Sequence, residues 1–437
     1  MVSLDRIIKD RLDTLAVPLA VRLPTGQRLG PEAAEVEIEF HDPAALARLA
    51  AGNLGALGGE IVNGKVTIHG GMRPLMRVVA ALVPDDGRAE RPRPWQRVWW
   101  GLASILRHSR QRDAAQIRFH YDVSDDFYRI WLDPRQVYSC AYFRDPAMDL
   151  PQAQEAKLDL ICRKLDLRPG ERFVDIGAGW GALLLHAARH YGVDATGITL
   201  SQNQFDHVTR LIAAEGLGDR VRIHLCDYRD LQPAVPFDKL ASVGMFEHVG
   251  RAHMAIYAQR LSELLRPGGL ALNHGITVTG LDDAMIGGGL GDFIERYIFP
   301  GGELIHVSHA IRQFSQAGLE MVDTENLRPH YARTLWCWSD NLEARLPEAL
   351  AVLEQTMQPE RAAEVLRAFR LYLAGCALSF EESWTSLYQI LLTRPGGPPA
   401  APDLPGADSS YPFRRDYIYR AEPPDAGAWG RGGAGPV

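Results

Sequence analysis

Little in this 437-residue chain points to an oxidising compartment, a membrane span or a polyanionic partner. Its five cysteines, Cys140, Cys162, Cys226, Cys337 and Cys376, are odd in number and scattered without metal-ligand spacing. That pattern argues against a disulfide framework and against a metal site, and fits a reduced, cytosolic setting. Long apolar runs are missing too: Met1 to Ala20 interrupts its hydrophobic residues with Asp5, Lys9, Asp10 and Asp13, so neither a signal peptide nor a membrane span is expected. Any membrane contact would be peripheral. Nor is there an excess of one charge, since the formal net charge is −7 with 23% charged residues. Nothing global suggests nucleic acid, and any basic surface must be local. No internal repeat is evident.

The length suggests two domains and a tail. Residues 1–83 read as a small α+β module: Val36-Glu37-Ile38-Glu39-Phe40 alternates like a strand, Asp42-Pro43 opens an Ala- and Leu-rich helix, and Ile61 to Gly71, centred on Asn63-Gly64, reads as a hairpin. Residues 84–119 shift to Pro, Arg and Trp. There Trp95, Trp99 and Trp100 alternate with arginines such as Arg93, Arg97 and Arg107, which suits either an anionic lipid surface or an interdomain helix packed on its neighbour. From Gly170 strands and helices alternate, with strands expected over Phe173–Ile176, Ala195–Ile198, Val221–Leu225, Leu240–Gly244 and Leu270–His274, and helices over Ser201–Glu215 and His253–Leu265. This predicts a doubly wound α/β sheet. A glycine-rich insertion is expected from Gly275 to Gly302, then strands over Leu319–Asn326 and Trp384–Leu392 around a helical stretch, Tyr331–Ser379. Beyond residue 394 a Pro/Gly-rich tail is expected to be mostly disordered, with Tyr411 to Tyr419 able to dock.

The most informative segment is Phe173-Val174-Asp175-Ile176-Gly177-Ala178-Gly179-Trp180-Gly181-Ala182, a short apolar run feeding a glycine turn that opens a helix. Such a turn lets the backbone approach a ligand next to a helix N-terminus, where N–H groups could face a polar ligand. The loose Gly-x-Gly-x-x-Ala pattern also admits NAD. A dinucleotide site, however, expects an acid about 20 residues on, at the end of the next strand. That strand ends in Thr199-Leu200-Ser201, with no acid, which favours S-adenosylmethionine. Asp175 could anchor the loop or face the cationic end of a sulfonium ligand.

Six further stretches occur in order: His120 to Tyr128, Tyr138 to Phe143, Gly197 to Gln204, Phe246 to Gly250, Tyr297 to Gly302 and His330 to Leu335. Together with the glycine loop they resemble the cyclopropane fatty acid synthase family, including the mycolic acid cyclopropane synthases, over about 120–394. The N-terminal module looks like the accessory domain of the longer, phospholipid-acting members. The resemblance implies a class I S-adenosylmethionine-dependent methyltransferase fold, with a mostly parallel seven-stranded sheet. Its activity is methyl transfer to the double bond of an acyl chain, with bicarbonate as the base. An alkene is a weak nucleophile and its methylation leaves a carbocation, so such a site must be dry.

By motif, the resemblance assigns the bicarbonate cradle to Glu247, Tyr331 and His274, with backbone at Cys140 and Ile276. It assigns the methyl donor to Tyr138, Ser139, the loop that includes Val174, Asp175, Gly177, Ala178, Gly179, Trp180 and Gly181, then Thr199 and Gln204. A pair after the third strand is Tyr228-Arg229, where mycolic-type members carry Trp-Glu, and Asp227 could instead bond the adenine amino group. Ala178 replaces the family's common Cys. Cys376 matches a cysteine regarded as an active-site residue, although alkene methylation needs no thiolate and its apolar neighbours also suit a core position. No metal is expected. The implied partners are unsaturated phospholipid acyl chains and an anionic membrane surface, with homodimerisation through the N-terminal module by similarity. A close variant of the chemistry would leave a methylene-branched chain. Methylation of a small amine or phenol, or lipid binding without chemistry, are the other readings.

Overall fold

The computed structural model describes residues 12, 17–50, 54–82, 124–281, 303–397 and 409–419, excepting the side chains of 47–50 and 54. The Arg- and Trp-rich segment, His120 to Val123, the Tyr297 to Gly302 motif and most of the tail therefore lie outside the described residues. The chain divides into two compact units. One comprises Met1–Leu132, Thr277–Val307 and Arg328–Ser386, and the other Asp133–Ile276, Ser308–Leu327 and Leu387–Val437.

The first unit contains a four-stranded sheet of order β2-β1-β3-β4, from β1 (Leu19–Arg22), β2 (Arg28–Leu29), β3 (Val36–Phe40) and β4 (Val66–Gly70). The alternation in β3 has its physical counterpart: Val36, Ile38 and Phe40 are buried, while half-buried Glu37 carries ion pairs with Arg22 and Arg28 and half-buried Glu39 lies within hydrogen-bond distance of His69. The hairpin expected at Ile61 to Gly71 is not formed. Ile61 and Val62 end the helix Leu54–Val62, and β4 pairs antiparallel with β3 instead. The Asn-Gly pair closes that helix: Lys65 N–H donates to Glu60 O at 2.9 Å and Gly64 N–H to Ile61 O at 3.0 Å, with Gly64 at φ 74°. This is the glycine-terminated Schellman arrangement.

The 328–386 segment belongs to this unit. Its helices Arg328–Glu343, Leu346–Glu354 and Pro359–Glu381 lie with the helix Asp125–Trp131, whose N-terminus is capped by Ser124. Phe127, Tyr128, Trp131, Trp338 and Phe369 form a continuous aromatic cluster with ring centroids 5.0–6.3 Å apart. Two arginines tie the N-terminal sheet module to these helices. Arg367 Nε donates to Val62 O at 2.8 Å, and Arg73 pairs with Asp340 at 2.6 Å while lying over the Trp336 ring at 4.3 Å.

The second unit is built on a seven-stranded sheet of order β10-β11-β9-β8-β5-β6-β7. Its strands are β5 (Arg172–Ile176), β6 (Asp194–Thr199), β7 (Val221–Leu225), β8 (Phe237–Val243), β9 (Leu265–Val278), β10 (Glu320–Asn326) and β11 (Thr385–Thr393). The pairs β5–β6, β6–β7, β5–β8 and β8–β9 are parallel, and β10–β11 is antiparallel. Because β6 and β8 flank β5 on opposite sides, the chain direction of winding reverses there, and the carboxyl ends of β5, β6 and β8 face the crevice where open α/β sheets bind ligands. Leu183, Leu184, Ala187 and Ala188 of the helix Ala182–Tyr191 close over Phe173, Val193 and Ala195 to form the core. The insertion expected to begin at Gly275 begins later, since β9 continues through Gly275 to Val278. The segment 409–419 docks within this unit, Tyr411 Oη donating to Glu320 Oε1 at 3.1 Å and Ile418 being buried.

Candidate active site

The glycine turn leaves β5 in a conformation that only glycine adopts readily: φ is 81° at Gly177, 55° at Gly179 and 84° at Gly181. Its N–H groups are less available than the sequence suggests. Those of Gly177 and Ala178 donate to Ile198 O at 3.0 and 2.9 Å, and that of Gly181 to Ala178 O at 2.9 Å. The turn is thereby latched to β6, and a Cβ on Gly179 would meet no atom within 4 Å, so the loop is open at its tip. Gly181 is close-packed, since a Cβ there would stand 2.9 Å from Val208 Cγ2. Val174 is fully buried in β5, and Trp180 is also buried.

The Tyr138–Ser139 segment is held by a helix that the sequence motifs do not include. Asp149 and Gln152 form a capping box that starts the helix Leu150–Lys164. From it, buried Gln154 donates to Val137 O at 3.2 Å and Ser139 O at 2.9 Å, while Lys157 Nζ donates to Ser139 Oγ at 2.7 Å. Asp133 receives the Arg135 and Val137 N–H groups and folds the turn that leads into the segment. Burial holds the Lys157 ammonium below its ordinary pKa, and the nearby Cys140, Asp133 and Asp175 pull it back up. Asp175 is likewise buried, which raises its carboxyl, and Lys157 opposes that rise. Lys157 therefore bonds the Tyr138–Ser139 segment and acts electrostatically on Asp175. A single Lys in a helical sequence gives no signal of this.

At the end of β6, Thr199 and Gln204 meet: Thr199 Oγ1 donates to Gln204 Oε1 at 2.8 Å, and Ser201 caps the following helix. After β7, Asp227 is engaged by its neighbour, accepting Arg229 N–H and Nε at 2.8 Å and Nη2 at 2.6 Å. The Arg229 guanidinium also lies 5.4 Å from the Tyr228 ring centroid. Asp227 thus shapes the loop that presents Tyr228, and its carboxylate is already charge-compensated.

The proposed cradle lies at the ends of β8 and β9. In the parallel register Val243 stands beside His274, and Gly244 N–H donates to His274 O at 2.8 Å. The Phe246 ring lies directly on Gly275, where any Cβ would overlap it. That approach brings Glu247 Oε1 to 2.7 Å from the Ile276 N–H, which donates to it. The Ile276 N–H thus fixes Glu247. Desolvation pushes the Glu247 carboxyl up to about 7, against the opposing Ile276 hydrogen bond. His274 is fully buried and held well below the ordinary imidazole range, first by desolvation and then by the charges of Lys157 and Lys164, so it is neutral. Its Nδ1 lies 3.1 Å from Gln389 Nε2. Glu247 Oε2 and His274 Nε2 are buried without a hydrogen-bond partner. Buried polar atoms are rarely left so, and an acceptor and an imidazole nitrogen on adjoining strand ends suit a small hydrogen-bonding anion. The residues present therefore fit bicarbonate.

Cys140 is fully buried and directs its thiol at Ala141 O, 3.2 Å away. Tyr331 belongs to the first unit, in the helix Arg328–Glu343, with its ring against Phe380 and Trp338 at centroid distances of 4.7 and 6.1 Å. Cys376 is in the same unit on the helix Pro359–Glu381, and burial alone pushes its thiol up to about 12. It is a neutral thiol at physiological pH. Among the described residues no group of three or more His, Cys, Asp or Glu could hold a metal ion.

The sheet order, the glycine turn at the carboxyl end of its central strand and the Thr199–Gln204 pair define a class I S-adenosylmethionine-dependent methyltransferase. Solved structures agree, among them coclaurine N-methyltransferase bound to N-methylheliamine and SAH, which shares the fold at 20% identity with a TM-score of 0.61, covering 79% of this chain and 100% of that one. The chain belongs to the mycolic acid cyclopropane synthetase family, whose model matches residues 108–390. It is 44% identical over 411 residues to a probable fatty acid methyltransferase of Pseudomonas putida, covering 94% of this chain and 98% of that one. It is also 37% identical to cyclopropane mycolic acid synthase 1 of Mycobacterium tuberculosis, over 63% of this chain and 96% of that one. A mycolic acid cyclopropane synthase complexed with SAH and CTAB superposes with a TM-score of 0.59 at 35% identity, over 64% of this chain and 98% of that one.

Proposed function

We propose that this methyltransferase is a cyclopropane-fatty-acyl-phospholipid synthase, which methylates the double bond of an unsaturated phospholipid acyl chain and closes a cyclopropane ring with loss of a proton. The observation that carries the reading is the buried, unpartnered pair of Glu247 Oε2 and His274 Nε2 beside the strand that bears the glycine turn. When bound, S-adenosylmethionine supplies an electrophilic methyl group and bicarbonate a base. Glu247, titrating near 7 and steadied by Ile276 N–H, can accept a hydrogen bond from the bicarbonate hydroxyl at Oε2. Neutral His274 adds a second contact without placing a positive charge against a nascent carbocation. Burial of both groups keeps water from quenching that cation. Tyr331 joins this cradle by motif alone, and bonds from Gln154 and Lys157 give the methyl-donor wall at Tyr138 and Ser139 its rigidity.

Among the described residues no helix is long and apolar enough to cross a membrane. Reaching a phospholipid chain therefore falls to peripheral contact, for which residues 84–119 carry the suitable Arg and Trp composition. A homodimer through the N-terminal module is part of the same proposal. A second product is favoured by the relative named as a fatty acid methyltransferase: proton loss from the chain would give a methyl-branched olefin, and a hydride shift onto the cation followed by proton loss from the new methyl a methylene-branched one. Mass spectrometry of lipids from cells expressing the chain separates the two. A gain of one methylene unit with loss of the olefin indicates the ring, the same gain with an olefin retained indicates the branched product, and no gain refutes both.

A further inference from the structure

We propose that Gln389 is a positioning residue that sets the tautomer of His274, so that the imidazole offers an Nε2–H donor to the anion beside Glu247. This rests on the bicarbonate reading above and concerns how the anion is recognised.

Gln389 stands in β11, in the run Thr385-Ser386-Leu387-Tyr388-Gln389-Ile390-Leu391-Leu392-Thr393, and is only 1% exposed. A primary amide in such a dry strand is costly unless it is bonded, and its Nε2 finds His274 Nδ1 at 3.1 Å on the neighbouring strand β9. His274 is neutral, so one ring nitrogen carries the proton and the other does not. If the amide donates to Nδ1, the proton must sit on Nε2. If the amide is turned about, Nδ1–H donates to Gln389 Oε1 and Nε2 becomes a bare acceptor. Protein hydrogen bonds alone do not choose, because either arrangement leaves one amide group unmatched: Oε1 has no partner in the first.

The anion chooses. With Glu247 ionised, its Oε2 is already an unmatched acceptor, and a second acceptor at His274 Nε2 would present two lone pairs to an oxyanion. An Nε2–H donor matches an anionic oxygen, while Glu247 Oε2 takes the hydroxyl proton of bicarbonate. Both orphaned atoms are then satisfied by one ligand that has both a donor and an acceptor face. The same logic prefers bicarbonate over a fully deprotonated oxyanion, which has no proton for Glu247.

The test is nitrogen-15 NMR of the full-length protein with labelled histidine, His274 being identified by the signal lost in His274→Gln. Wild type is expected to show the Nε2–H tautomer, and Gln389→Glu, whose carboxylate can only accept, to shift the proton to Nδ1 or to protonate both nitrogens. Gln389→Met, similar in volume, is expected to leave a mixture. In parallel, carbon-13 bicarbonate is titrated against each protein, with roughly tenfold or greater weakening expected in both variants, as for other groups that orient a ligand-holding histidine. A wild-type Nδ1–H tautomer would overturn the proposal, even if bicarbonate binds. The reverse outcome, a Gln389-dependent Nε2–H tautomer in a protein that binds no bicarbonate, would refute the bicarbonate reading while leaving the positioning role of Gln389 intact.

Discussion

Placing a methyl group on Gly275 probes the geometry that holds Glu247. The Cβ of Gly275→Ala would overlap Cδ1 and Cε1 of Phe246 and stand 3.1 Å from its Cζ, so the ring must move. Phe246 is itself buried in the short turn Phe246–His248 that carries Glu247, and the displacement is transmitted to the carboxylate next in sequence. Overpacking of this kind costs roughly 1–3 kcal/mol. Loss of the hydrogen bond from Ile276 N–H to Glu247 Oε1 adds on the order of 1 kcal/mol. A shift of 1 Å at a reacting group can lower turnover about 100-fold, so activity should suffer more than stability. The assay is denaturant unfolding together with turnover of labelled S-adenosylmethionine, for Gly275→Ala, Phe246→Leu and the double variant. Relief of the clash predicts that Gly275→Ala with Phe246→Leu is more stable than the sum of the single effects, by at least about 1 kcal/mol. Additive effects, or a Gly275→Ala protein with wild-type stability and turnover, would refute this account of how the turn positions Glu247.

Lys157→Met removes the buried donor to Ser139 Oγ and Ser139→Ala the acceptor of the buried Lys157 ammonium, so each should lower stability by roughly 1–3 kcal/mol in denaturant unfolding, and both should weaken binding of S-adenosylhomocysteine in calorimetry. For Glu247 the folded pKa is raised from 4.5 to about 7, so the protonated carboxyl favours the fold: this contribution is full below pH 4.5 and is lost as pH rises through about 7. It amounts to on the order of 3 kcal/mol, and Glu247→Gln should flatten the stability profile across that window in urea titrations at several pH values. At the helix terminus, Gly64→Ala forces a left-handed alanine and should cost roughly 1–2 kcal/mol, read from the same unfolding curves. Cys376→Ser should retain turnover within a factor of about two, because a thiol pushed up to about 12 offers no thiolate to lose.

The α/β body was legible because its signals are local. Val221 to Leu225 and Thr199-Leu200-Ser201 carry strand and cap patterns that tertiary contacts reinforce, and the glycine turn is required by three positive φ angles. Misreading began where one local pattern serves two structures. Asn63-Gly64 suits a hairpin and a helix terminus equally, and pairing of β4 with β3 decided for the latter. Gly275 reads as a break in a strand, yet it is there so that an aromatic ring can lie on β9. At the site, motif resemblance pointed to Glu247, His274 and Tyr138 but not to the residues bonded around them. Lys157, Gln154 and Gln389 bond to partners distant in sequence, and nothing in their local sequence marks them. The engagement of the Gly177 and Ala178 N–H groups was hidden for the same reason, since their acceptor, Ile198 O, is supplied by another strand.

The central claim is most directly tested by incubating the purified full-length protein with methyl-labelled S-adenosylmethionine and vesicles of monounsaturated phospholipid, with bicarbonate depleted and then restored. The account predicts label in a cyclopropane-bearing acyl chain, a rate that falls on depletion and recovers on restoration, and loss of at least about 100-fold in Glu247→Gln. A flat time course with bicarbonate present, or an unchanged rate in Glu247→Gln, would contradict it.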